Sequence, residues 1–407
     1  MTWIQLDNTI VAGDYVGTWG DLPERDLPAS AAVFCPTQLS AAVAVRSQVP
    51  RERELLVAAS ARAEEGLITA LRELGLWVVD APPEFADDNL RPLTERDADP
   101  GRLWLLTSGS TGRPKQVAHT LGSLTTVRGE QPPRTWLCPY TPGAYAWWQV
   151  VTLGLTHPGQ TIVFVDSADL DNWPALAVEH GVTAASGTPT FWRQALVRSG
   201  ETLAEVPLEQ ITLGGEPVDQ GVIDALRAVF PDARISWIYA SSEAGATIAV
   251  HDGLAGFPEA WLDRDAGDRP RLSIEGEELL IASKYRGEGV DEVLHTGDRV
   301  ERRDGRVHIV GRLASDEINV GGSKASASAV REVLLSHPDV AWAAVRGRKA
   351  PIVGTMVTAE VVLEPGRSVT DAELSQYARR HLPEYAVPRR IRLLTEIPIK
   401  ESLKSDV

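Results

Sequence analysis

The sequence predicts an α/β protein: a large layered N-terminal domain with sheet and β subdomains, followed by a small α+β C-terminal domain. Three observations predict it. Between residues 105 and 312, short apolar runs at 161–165, 210–213 and 235–238 alternate with stretches of helical spacing. After residue 270 the pattern turns to paired strands at 277–281 and 306–310, the second following the Asp304-Gly305 dipeptide of a hairpin turn. Beyond residue 322 come a helix, two strands, a helix and a last strand, enough for one compact satellite domain. With 407 residues, 43% of them hydrophobic, the chain can build two or three cores.

Taken in order, Leu55, Leu56, Ala59, Leu67 and Leu71 recur at helical spacing and predict one helix over 53–74, with a strand at 76–79. The acidic, proline-bearing stretch 84–102, with Asp87, Asp88, Glu95, Asp97 and Asp99, reads as an exposed connection. Residues 103–106 are apolar and predict a buried strand that delivers the next segment to a sheet edge. Residues 199–208 read as a polar loop and 222–230 as a helix. Residues 311–322 are charged, small and glycine-bearing, which predicts a linker. The satellite domain then reads as a helix at 327–336, strands at 340–345 and 356–362, a helix at 371–381 and a strand at 390–394.

Charge and composition exclude several classes. A net charge of -16 argues against a nucleic-acid partner or an anionic membrane surface, both of which need clustered positive charge. Two cysteines, Cys35 and Cys138, are too few for a disulfide framework or a zinc site, and fit a reduced, cytoplasmic setting. Residues 1–7 lack a basic start and an apolar run, and no stretch approaches a membrane span. Lysine is rare: only Lys115, Lys284, Lys324, Lys349, Lys400 and Lys404 occur, so each one's position is worth reading.

The segment Thr107-Ser108-Gly109-Ser110-Thr111-Gly112-Arg113-Pro114-Lys115 follows the 103–106 strand. Gly109 and Gly112 free backbone amides to face an anion, the hydroxyls add donors without bulk, and Lys115 supplies a mobile positive charge. It is not a Walker A loop, since the lysine is not followed by Ser or Thr at the required glycine spacing. A glycine- and serine-rich surface turn would have the same composition. Tyr239-Ala240-Ser241-Ser242-Glu243 follows a strand and places a ring four residues before a carboxylate, suited to a base beside a magnesium ion; a solvated loop is the alternative. In Thr296-Gly297-Asp298 the carboxylate directly follows glycine and can accept from vicinal hydroxyls, and Gly214-Gly215-Glu216-Pro217 lets backbone approach a flat ligand. Each of these could also be an ordinary turn.

Together with Gly311-Arg312 and a lysine-bearing tail, these motifs stand in the order and approximate spacing of the adenylate-forming superfamily, which the chain resembles from residue 105 to its end. That superfamily includes acyl- and aryl-CoA ligases, carrier-loading adenylation domains and luciferases. The resemblance implies a carboxylate substrate that attacks the α-phosphorus of ATP, releases pyrophosphate, and passes its acyl group to a thiol or amine. It implies that residues 107–115, with Lys115, hold the β- and γ-phosphates, that Tyr239 stacks on adenine, that Ser242 contacts phosphate and that Glu243 coordinates Mg2+. Asp298 and Arg312 would hold the ribose side, and Gly215 and Glu216 would lie near the adenine and acyl pockets. In the tail, Lys404 takes the place of the lysine that bridges carboxylate and phosphate, with Lys400 as second candidate because Leu403 replaces the usual preceding glycine.

The resemblance further implies domains at 1–312 and 323–407 joined by a hinge at 313–322, about which the small domain is mobile; the pivot is Ala314, Ser315 or Asp316. Gly321-Gly322 would line a pantetheine tunnel for a thiol acceptor, coenzyme A or a carrier protein. The short stretch before residue 107 is similar to the abbreviated o-succinylbenzoate and aryl-CoA ligases and could indicate a homodimer or a partner that completes the fold. Residues 139–148 hold no His or Asp, which disfavours an α-amino acid, whose ammonium would be buried unpaired. Tyr145, Trp147, Trp148 and Phe191, with Gly214, suggest a flat or bulky apolar acyl pocket, although tryptophan-rich core packing would give the same pattern.

Overall fold

The computed structural model describes every residue except 1–3, 84, 86–88, 108–114, 263, 265–266, 268, 314–315, 351–353, 401–402 and 406–407. Two sheets form the frame of the larger part. One has eight strands, in the order Gly245–Val250, Arg234–Ser241, Gln210–Gly214, Ala184–Gly187, Arg134–Cys138, Gln160–Phe164, Thr9–Ala12 and Tyr15–Thr18. Its inner strands are parallel and its two end pairs antiparallel. The other has six strands, with Ser30–Cys35, Glu54–Ala59 and Arg102–Thr107 parallel at its centre and Lys115–Thr120 antiparallel at one edge.

Helix Gln38–Gln48 fixes how the sheets meet. It is rich in alanine and buried on most of its circumference, as expected of a helix packed on both sides. The Gln38 amide donates to the carbonyls of Tyr140 (2.9 Å) and Val165 (3.1 Å), and its oxygen accepts from the Trp147 indole at 2.8 Å. A second contact sets helix Tyr145–Thr156: a Cβ on Gly143 would fall 1.8 Å from the Val57 carbonyl oxygen, so only glycine allows this approach, at φ +80°.

A five-stranded antiparallel sheet, running Phe257–Pro258, Arg306–Arg312, Val293–Arg303, Glu278–Ala282 and Arg271–Glu275, forms the β subdomain. The predicted hairpin turn is there, with Asp304 and Gly305 both at positive φ. The C-terminal part has its own core around Val330, Leu334, Ala343, Val361 and Leu374. It contains the Glu317–Val320 and Ser323–Ser326 hairpin, helices Ala327–Leu335 and Asp371–His381, and the sheet Val340–Ala350, Gly354–Leu363, Arg390–Leu394.

Three local expectations need correction. Residues 53–74 are a strand, Glu54–Ala59, and a separate helix, Glu65–Glu73. Leu55, Leu56, Val57 and Ala58 are all buried because this central parallel strand is covered on both faces, so its apolar run is continuous and mimics helical spacing. Residues 200–205 form a short helix that buries Leu203. Within 311–322, both ends of the expected linker enter strands: Arg312 still pairs with Asp298, and Glu317–Val320 opens the next hairpin.

Glu54 shows how much polar satisfaction the six-stranded sheet demands. Its carboxylate is fully buried and accepts from both Arg96 terminal nitrogens (3.0 and 2.7 Å), the Trp104 indole (2.6 Å) and the Asp99 amide (3.1 Å). Replacing Glu54 by Ala strands all of these donors. Equilibrium urea denaturation of this variant should show a loss of about 3 kcal/mol, the cost of breaking a buried pair from one side.

Candidate active site

The candidate site lies where the eight-stranded sheet, the β subdomain and the C-terminal tail converge. Strand Gln210–Gly214 ends in the tight turn at Gly215, at φ +83°, which brings Glu216 under the N-terminus of helix Pro189–Arg198. There the Glu216 carboxylate accepts from the Thr190 amide (3.0 Å) and hydroxyl (3.1 Å), a favourable place for an anion at a helix start. The same carboxylate accepts from the Ser405 amide at 3.0 Å, so the tail is tied to it directly.

The tail is shaped around Leu403. Its side chain is fully buried against the large core, although its backbone sits at φ +59°, a left-handed conformation that costs a non-glycine residue roughly 1–2 kcal/mol. The Thr188 hydroxyl donates to the Leu403 carbonyl, the Ser405 hydroxyl lies 3.0 Å from that of Thr190, and the Trp342 indole donates to Ser405 at 3.3 Å. These contacts lay Lys404 across Gly215: a Cβ there would meet Lys404 Cε at 3.2 Å and Nζ at 3.7 Å. Glycine at 215 therefore makes room for the lysine. Lys404 keeps some exposure to solvent, but the surrounding protein strips enough water to hold its pKa below the ordinary lysine value, against the pull of Glu216 and Asp298. Lys400 takes the other role in this turn, its backbone amide donating to the Lys404 carbonyl at 2.9 Å.

Asp298 is buried on strand Val293–Arg303, where it accepts from the Tyr239 hydroxyl and from Arg312 Nε at 2.9 Å. Burial raises its pKa despite these donors, and burial together with the adjacent Asp298 charge raises that of Tyr239. Arg312 also donates to the Thr296 carbonyl at 2.9 Å, which holds its guanidinium against this corner. Beyond Tyr239, the strand Arg234–Ser241 turns through Ser242 and Glu243, with the Ala244 amide donating to Ser241 Oγ at 2.9 Å. The Glu243 carbonyl accepts from Gly287 N at 2.8 Å, and the Ser242 carbonyl lies 2.7 Å from His119 Nε2.

Lys115 stands exposed at the start of strand Lys115–Thr120, in register with the buried Thr107. Ser108, Gly109, Ser110, Thr111 and Gly112 lie outside the described residues. Of the expected acyl-pocket residues, Trp147, Trp148 and Phe191 are corrected to core positions, because they are sealed on all sides. Trp147 and Trp148 pack edge to face and are both fully buried, while Phe191 sits between Trp173 and Trp192. Tyr145, half-buried at a helix start and tilted against His119, and Gly214 are only partly buried. Thr188, Thr190, Ser405 and His119 were not among the residues singled out from sequence. Thr188, as the cap before Pro189, carries a readable signal; the others carry none, because their partners are distant in the chain.

A family model described as AMP-binding enzyme matches residues 25–273, and one described as AMP-binding enzyme C-terminal domain matches 329–404. The chain is 29% identical over 354 residues to surfactin synthase subunit 1 of Bacillus subtilis, which is 74% of this chain and 10% of that one. It is 27% identical over 376 residues to acetyl-coenzyme A synthetase of Deinococcus radiodurans, 81% of this chain and 57% of that one. It thus spans less than two thirds of either relative. Among solved structures, that of E. coli MenE with bound OSB-AMS matches with a TM-score of 0.70 and 20% identity, over 96% of this chain and 93% of that one.

Truncating the buried knob of the tail tests how Lys404 is held. Leu403→Ala keeps the backbone conformation and removes the packing, which should cost about 2 kcal/mol. If cleavage follows the population of undocked tail, limited proteolysis near the C-terminus should run about thirtyfold faster than in the parent.

Proposed function

Because the chain belongs to the AMP-binding enzyme family, we propose that it activates a carboxylic acid with ATP, releasing pyrophosphate, and passes the resulting acyl-adenylate to a thiol, coenzyme A in the first reading. The observation that carries this reading is Lys404 laid across Gly215, within electrostatic reach of Glu216, Asp298 and Arg312. A cation at this point meets the need of the first half-reaction, in which one anion attacks another and charge must be offset more than a base supplied. A carboxylate oxygen forms a bond to the α-phosphorus and the bond to pyrophosphate breaks. Lys404, protonated at Nζ, offsets charge on both reactants. Lys115 serves the phosphates at the strand edge, Tyr239 offers a ring for adenine, and Asp298 keeps acceptor capacity for ribose hydroxyls beyond its bonds to Tyr239 and Arg312.

Glu243 is one carboxylate, and the described residues hold no cluster of three or more metal-binding side chains. That fits Mg2+, which is held largely by substrate phosphates and water with one or two carboxylates and, when bound, offsets phosphate charge. For the acid, the absence of Asp and His from 139–148 leaves an aryl or other apolar group favoured, with Tyr145 as the aromatic wall. Similarity to an acetyl-coenzyme A synthetase supports coenzyme A as acceptor, and similarity to surfactin synthase subunit 1 supports a second reading with a carrier-protein thiol or an amine. The small domain, 323–407, moves about 313–322 between half-reactions in this reading. Asp316 supports it as the pivot: it meets Arg299 at 3.1 Å on one side, and the Ser326 hydroxyl (2.8 Å) and Ser328 amide (2.7 Å) on the other.

A pyrophosphate-release screen across carboxylic acids, with and without coenzyme A, tests the proposal. Release with an apolar acid that the thiol stimulates is the expected result; no release with any acid defeats it. Lys404→Ala should lower substrate-dependent ATP–pyrophosphate exchange by about a hundred- to a thousandfold while sparing capture of a supplied acyl-adenylate; a charge-stabilising donor is worth about that much. The pH profile gives a second check. Lys404 is cationic below its lowered pKa and loses the proton as pH rises through it, so exchange should fall on an alkaline limb centred below 10.5. In Lys404→Arg, which stays charged, that limb should vanish from whatever activity remains.

A further inference from the structure

We propose that His119 is a positioning residue for the turn at Ser242 and Glu243, and that it couples this turn to the strand presenting Lys115. The inference rests on the adenylation reading above. His119 is 1% exposed and lies in strand Lys115–Thr120, where residues 115, 117 and 119 share one face. A carbonyl can only accept, so the 2.7 Å contact to the Ser242 oxygen places the proton on Nε2. Nδ1 is then an acceptor facing the Ser123 hydroxyl, 3.0 Å away, whose single proton the Thr120 carbonyl at 3.1 Å also draws, and burial favours this neutral ring. The contact to the Ser242 carbonyl thus fixes the tautomer.

The bond reaches beyond Ser242. Because the peptide is planar and trans, fixing the Ser242 carbonyl on His119 turns the Glu243 amide N–H the opposite way and sets the direction in which the Glu243 side chain leaves the turn. A third segment closes the arrangement: Gly287 N donates to the Glu243 carbonyl (2.8 Å) and Glu288 N to the Ala118 carbonyl (2.9 Å). A Cβ on Gly287 would lie 3.4 Å from His119 Nε2 and only 2.4 Å from a Val117 methyl, so this loop is pressed onto the strand beside the imidazole. The cationic strand and the carboxylate turn, 123 residues apart in sequence, therefore share one rigid link. An apolar residue at 119 would take this partner from the half-buried Ser242 carbonyl.

The test compares His119→Gln, whose amide nitrogen can reach the Ser242 carbonyl, with the shorter His119→Asn. The readouts are Mn2+ binding in the presence of ATP, followed by electron paramagnetic resonance, the half-saturating Mg2+ for pyrophosphate exchange, and the thermal unfolding midpoint. His119→Asn should weaken Mn2+ binding about tenfold and raise the Mg2+ requirement alike, while His119→Gln stays within about threefold of the parent. A purely structural histidine predicts lower unfolding midpoints in both variants with Mn2+ affinity unchanged, and that result overturns the proposal, as does an equal loss of affinity in both. Should His119→Asn fail to fold, Ser123→Ala, which releases Nδ1, should still weaken Mn2+ binding about threefold; unchanged affinity there counts against coupling. Parent protein that binds Mn2+ with ATP yet exchanges no pyrophosphate with any acid defeats the adenylation reading and leaves the comparison of variants interpretable.

Discussion

The carboxylate of Glu216 is the constraint on which the site depends. It accepts from the Thr190 amide and hydroxyl at the start of one helix and from the Ser405 amide of the tail, so one anion joins the large domain to the last turn of the chain. That junction helps to fix the place of Lys404. The tail adds its own anchor by burying Leu403 in a backbone conformation that a glycine would adopt more easily. Burial of a leucine side chain, roughly 1.5–3 kcal/mol, is enough to offset the backbone cost. A glycine would relieve the strain and give up the anchor, so this chain docks its tail by packing.

A second junction, on the other side of the cleft, ties the β subdomain to the small domain. Asp298 is shared by Tyr239 and Arg312, while Asp316, four residues past Arg312, accepts from Arg299 and, at the start of helix Ala327–Leu335, from the Ser328 amide and the hydroxyl of the capping Ser326. Asp298 holds Arg312 where the short connection leaves the β subdomain, and Asp316 stands four residues further on. Arg193 contributes a third tie, with Asp219 at 2.7 and 2.8 Å and the Ala341 carbonyl at 2.6 Å, nearly buried between the domains. Polar bonds of this kind hold a defined arrangement and can be exchanged for water when it changes, which apolar contact alone does less readily.

Much of the fold could be read from the chain because its signals are local. The helix at 371–381 and the strand at 390–394 match the structure to the residue, since Thr370 caps one and an alternating run builds the other. The Asp304-Gly305 turn is likewise local chemistry. What failed was the distinction between a strand buried on both faces and a helix at 53–74, because a continuous apolar run carries no period of its own. The aromatic cluster failed for a related reason. Trp147, Trp148 and Phe191 follow the right motif in sequence, yet the direction of a ring, toward a cleft or into a core, is set by what packs against it.

By itself, the sequence determined the family and the residue types available to the site, since ordered motifs, rare lysines and strand-to-turn transitions are properties of the chain alone. Only the tertiary structure decided which of these residues meet. Lys404 rather than Lys400 lies on Gly215, Glu216 faces a helix start and the tail at once, and His119 reaches Ser242, because hydrogen bonds and desolvation act over a few ångströms in space. Residues separated by 123 or 189 positions become neighbours only through the packing of sheets that neither segment encodes alone.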